Sequence, residues 1–126
     1  MPQLAILRHD EGVRLNSDAI MALFAELGEA AAEKVIFRAA DELAARLAEL
    51  LRFADKNQSE AMVRSARLLA KVAEQLGMTI LAEVAYDVVT STEAGDTPAQ
   101  AATIARLVRI GDRSLSAIWE LRGQGA

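Results

Sequence analysis

Residues 29–56, EAAAEKVIFRAADELAARLAELLRFADK, contain neither proline nor glycine, and apolar side chains recur through them at helical spacing. Ile36, Ala40, Leu43, Leu47 and Leu50 form one stripe, widened by Phe37, Ala44 and Leu51. The pattern predicts one long helix from about Glu29 to about Lys56, with Glu29 and Glu33 favourably placed near the positive end of its dipole. In a chain of 126 residues, such a helix must be covered by other helices. The composition agrees. Hydrophobic residues make up 52% but aromatics only 4%, so the apolar content is mostly Ala, Leu, Ile and Val. Ala and Leu are strong helix formers, and the two prolines, Pro2 and Pro98, stand where a helix has not begun or is just beginning.

The remaining chain reads as further helices punctuated by turns. Ser17 or Asp18 caps a short helix, DAIMALFAEL, which Gly28 stops. DKNQS is turn-like, and Ser59 is expected to cap EAMVRSARLLAKVAEQL, which Gly77 ends. Thr79 opens ILAEVAYDVVTST, which runs to the turn EAGD. Thr97 then caps a final helix, with Pro98 in its first position and its end near Leu121. Gly111 lies inside that helix and is expected to cost it propensity and bend it slightly. Short connections make sequential helices antiparallel neighbours. The expected fold is all-α, an up-down antiparallel four-helix bundle with a short leading helix. Residues 1–16 read as an N-terminal arm, 17–121 as the bundle, and 122–126 as a flexible tail.

Several function classes find no support. The absence of cysteine excludes disulfides, thiolate metal sites and thiol nucleophiles. A single histidine removes most triads and zinc sites, no glycine-rich loop precedes a helix as a phosphate cradle, and no Glu-x-x-His motif occurs. Glu42, Glu49, Glu60 and Glu83 are expected on exposed helix faces. The chain therefore reads as a non-enzyme without cofactor or metal. A net charge of −4 argues against a nucleic-acid partner. No apolar run reaches the ~18 residues of a membrane span, and MPQLAILRHDEG lacks the basic start and long apolar run of a secretory signal. The expectation is a cytoplasmic protein with no membrane partner. His9, without a supporting constellation, reads as a surface residue. Phe24, Phe37 and Phe53 read as core, Trp119 as a cover for one end of it, and Tyr86 as half-buried with its hydroxyl in water.

The stretch RSARLLAKVAEQLG, residues 64–77, carries the candidate site. On a helix, Met62, Ala66, Leu69, Ala73 and Leu76 form the core stripe, flanked by Val63, Ala70 and Val72. The opposite face carries Glu60, Arg64, Arg67, Lys71 and Glu74. Three cations thus share one ridge at spacings i, i+3 and i+7, with acids at its two ends. The ridge is either a solvated face of partly compensated charge or a docking surface for an acidic partner.

The order of elements from about Ser17 to Trp119, together with ARLLAKVAEQLG, resembles the histidine-containing phosphotransfer domain of two-component phosphorelays. Ala66 matches the alanine before the phosphorylated histidine, Leu69 the hydrophobic position after it, and Leu76–Gly77 the closing pair. ILAEVAYDVVTSTEAGD matches the following helix and its acidic-Gly turn. The departures concern the chemistry. Arg67 stands where the resemblance places the phosphorylated histidine, Ala70 where it places a supporting lysine, and Lys71 where it places a glycine that leaves room for the partner. A guanidinium has no free lone pair with which to accept a phosphoryl group. The resemblance implies a non-catalytic domain of this kind, binding a response-regulator receiver domain without phosphotransfer. The alternative is a structural or dimerising helical module unrelated to phosphorelays.

Overall fold

The computed structural model describes residues 17–125, with side-chain environments for residues 20–120. The expected N-terminal arm, residues 1–16 with His9, lies outside the described residues, as do the capping side chains of Ser17 and Asp18. Five helices follow in order: α1 (Ser17–Leu27), α2 (Glu29–Asp55), α3 (Ser59–Gln75), α4 (Thr79–Glu93) and α5 (Thr97–Gly125). The fold is all-helical, with no strand among the described residues. Helix α2 packs on α3, α3 on α4, and α4 on α5; α5 returns to α2, and α1 lies against α2.

The three turns between the long helices are built alike. Each places one residue in the left-handed region: Asn57 (φ 56°), Gly77 (φ 70°) and Gly95 (φ 69°). In each, that residue's amide bonds back to the carbonyl three positions earlier, and the next amide to the carbonyl five positions earlier. The pairs are Asn57 to Ala54 with Gln58 to Phe53, Gly77 to Glu74 with Met78 to Ala73, and Gly95 to Thr92 with Asp96 to Ser91. This is the Schellman closure, which satisfies helix-end carbonyls as the chain reverses. The residue that closes one helix also starts the next: the carbonyls of Gln58, Met78 and Asp96 accept the first amides of α3, α4 and α5.

That dual role corrects two expected caps. Ser59 lies inside α3, and Gln58 precedes it with no side-chain cap bond. Asp96, not Thr97, caps α5: its Oδ1 accepts from the Ala99 amide at 3.0 Å, which puts Pro98 one position further into the helix. A carboxylate at that position satisfies an otherwise unpaired amide and meets the positive end of the dipole. The last helix also continues past Leu121 to Gly125, where a flexible tail was expected from residue 122. Gly123 and Gly125 are poor helix formers, but no proline follows Leu121 to force a break.

The core matches the apolar stripes closely. Ile36, Ala40, Leu43, Leu47 and Leu50 of α2 are buried, as are Met62, Ala66, Leu69 and Ala73 of α3 and Leu76 just beyond it. Ala44, by contrast, is exposed. Phe24, Phe37 and Phe53 pack only partly buried at the margin of the core, so its interior is aliphatic. Trp119 is 37% exposed and stacks on Phe37, with centroids 5.7 Å apart and rings 6° from parallel, tying α5 to α2. Each buried serine has a partner: Ser65 donates to Glu49, Ser91 to the Asp87 carbonyl, and Ser114 to the Ile110 carbonyl. Gly111 is buried where α5 crosses α2, and a Cβ there would lie 2.9 Å from Leu47 Cδ2. Close packing accounts for this glycine.

Two expected outcomes follow from the backbone. Nothing lies within 4 Å of a Cβ added at Gly95. Gly95→Ala therefore isolates the conformational cost of its positive φ, expected at about 1–2 kcal/mol in urea unfolding. A neutral result would contradict the left-handed turn. Gly111→Val should lose about 1–3 kcal/mol by overpacking against Leu47, whereas in Gly111→Ala, where only one methyl group has to give way, the gain in helix propensity offsets the contact. Equal stability of Gly111→Val and wild type would show that α5 does not approach α2 there.

Candidate functional site

The exposed faces of α3 and α4 meet in a surface built around the cationic ridge. Every ridge residue emerges where its helical spacing put it: Glu60, Arg64, Arg67, Lys71 and Glu74 are all exposed, opposite the buried stripe. Ala70 is fully buried. Among the described residues, neither Arg64 nor Lys71 has an ion-pair partner.

Arg67 is not a free cation. Its Nη2 lies 3.1 Å from Oε2 of Glu93, at the end of α4. The side chains are 51% and 57% exposed, so water and salt screen the pair, and its worth is about 0–1 kcal/mol. Glu74 does not simply offset the ridge charge either. Its Oε1 accepts a hydrogen bond from the Tyr86 hydroxyl at 3.0 Å, a second link from α3 to α4. The Glu74 carboxylate, which accepts that hydrogen bond and repels a phenolate, raises the Tyr86 hydroxyl above its ordinary pKa. Glu60 lies in the first turn of α3, where its charge meets the positive end of the dipole.

Exposed apolar groups adjoin these polar contacts. Leu68 is 43% exposed and Tyr86 38%. Arg64, Arg67, Leu68, Lys71 and Tyr86 line an open groove of about 350 Å³. A second groove, of about 460 Å³, continues between Arg64, Arg67, Val63, Thr92 and Glu93. The arrangement suits a protein surface carrying carboxylates around an apolar anchor. Among the described residues no group of three or more His, Cys, Asp or Glu side chains could hold a metal ion, and no helix is long and apolar enough to cross a membrane.

Sequence reasoning placed the cations and missed their surroundings. Leu68 was legible in principle: of the adjacent leucines 68 and 69, only one can face the core, and Leu68 lies i+4 from Arg64. Glu93 and Tyr86 lie on another helix, and nothing local to Arg67 or Glu74 marks them as partners. Glu49, expected on an exposed face, is part-buried instead. It accepts from Ser65 across the α2–α3 seam and from Arg46 at 3.4 Å. The Ser65 hydrogen bond, seconded by Arg46, holds the Glu49 carboxyl below its ordinary range despite the opposing effect of burial.

Tyr86 is the only tyrosine, so tyrosinate absorbance reports on this contact alone. Its titration midpoint should lie above 10.0 and fall towards that value in Glu74→Gln. The neutral phenol is the form favoured by folding, so its contribution is present below the unfolded pKa and lost as pH rises through the folded one. An unchanged midpoint in Glu74→Gln would remove the Tyr86–Glu74 contact from the site.

Compared with protein-family models, curated proteins and solved structures, the chain gives no match.

Proposed function

We propose that the chain is a non-catalytic helical interaction domain whose α3–α4 face docks an acidic partner protein. The carrying observation is the exposed Leu68 set among Arg64, Arg67 and Lys71, on a helix whose other side is fully committed to the core. Helices α2 to α5 are read as an up-down antiparallel four-helix bundle, a reading supported by their order of packing and their three-residue turns. The resemblance to histidine-containing phosphotransfer domains makes a response-regulator receiver domain the partner, bound in the cytoplasm without phosphotransfer. Arg67 supports the second half of that statement, because it cannot accept a phosphoryl group. Ala70 separates this helix further from the family pattern: a lysine at so buried a position would lose its hydration. The reading therefore rests on the face and its charges.

A second reading has its own observation. Met21, Leu27 and Val35 are exposed apolar residues on α1 and α2, away from the ridge, and favour a homodimerising module unrelated to phosphorelays.

Co-purification with a panel of receiver domains decides between them. Retention should weaken with salt and fall about tenfold or more in Arg67→Glu, which sets two carboxylates against each other at position 93 and reverses the ridge charge. No stable phosphorylated form of the chain should appear after incubation with a phosphorylated receiver. Failure to retain any receiver, or retention indifferent to Arg67→Glu, overturns the docking reading; a dimer in sedimentation would then support the second.

A further inference from the structure

We propose that Glu93 is a built-in competitor for the docking face, holding the central guanidinium of the ridge until a partner carboxylate replaces it. The inference rests on the docking reading above and names the residue that sets affinity there. Among the described residues, Arg67 is the only ridge cation that is paired, and its partner comes from another helix. The flanking Arg64 and Lys71 are left to the approaching surface. Glu93 is the last residue of α4, where the exposed carbonyls make the dipole negative and a carboxylate is disfavoured. The helix itself gives no reason for an acid there; Arg67 offsets its charge.

The pair is suited to exchange. Both side chains are more than half exposed, so either can swing away into water at little cost. A partner carboxylate arriving at Arg67 trades one screened ion pair for another and gains little from that contact. Leu68 and the two unpaired cations then carry most of the affinity, and Glu93 lowers it. An acid in the partner binds more tightly where an apolar side chain reaches Leu68 at the same time, so the competitor sharpens selectivity against surfaces that are merely acidic.

The test measures binding of two probes, a receiver domain and a fluorescein-labelled decaglutamate peptide, by anisotropy at low and high salt. Glu93→Gln should tighten binding about two- to fivefold at low salt, the range set by an exposed ion pair, and the gain should shrink at high salt. Glu83→Gln removes the same charge from an exposed position elsewhere on α4 and should give a smaller gain. In an Arg67→Gln background, Glu93→Gln should gain no more than Glu83→Gln does, because the excess gain acts through the Arg67 contact. If a receiver binds and depends on Arg67 but Glu93→Gln leaves affinity equal or weaker, the competitor is overturned and the docking reading stands. If no receiver binds but the peptide shows the Arg67-dependent gain, the receiver reading falls and the competitor stands. Equal gains from Glu93→Gln and Glu83→Gln, or no binding of either probe, overturn the competitor.

Discussion

The left-handed residue in each interhelical turn is the constraint from which the rest of this fold follows. Asn57, Gly77 and Gly95 each let two amides turn back onto the helix just ended, while the next residue's carbonyl starts the following helix. No residue is spare in such a connection. The end of one helix fixes the rotational phase of the next, and with it which side chains point inward. Three equivalent turns therefore pass the register of α2 to α3, α4 and α5.

The candidate site depends directly on that register. Arg67 and Glu93 meet only because α3 and α4 leave the Gly77 turn in one relative phase. A one-residue shift in either helix would rotate the contact away by about 100°. The same phase brings Tyr86 onto Glu74 at the far end of the face. Two polar contacts thus join α3 to α4, and Arg64, Leu68 and Lys71 are displayed beside them. The site is a consequence of how two amphipathic helices are joined, with core on one side and display on the other.

Much of the architecture was legible in the sequence because helices encode themselves locally. The stripe from Ile36 to Leu50 and that from Met62 to Leu76 both proved buried, and Gly28, Gly77 and Gly95 mark helix ends. Caps were read less well. Ser59 and Thr97 are the better capping residues by type, but the Schellman turns had already committed the preceding residue to that role. The site was half legible for the same reason. Spacing along one helix gave Arg64, Arg67 and Lys71, while Glu93 and Tyr86 required knowledge of a neighbouring helix. Gly111, read as a cost to its own helix, is explained by Leu47 on α2, a contact that periodicity cannot reveal.

Gly111 has a bearing on how the chain assembles. Most contacts between long helices join consecutive ones, so most of the structure can form by local zipping, with little loop entropy to overcome. The return of α5 to α2 is different: it joins the two ends of the series. At Gly111 that closure depends on the close approach of a bare backbone rather than on a large interlocking side chain. The seam between α2 and α5 accordingly carries the longest loop closure among the main helix pairings.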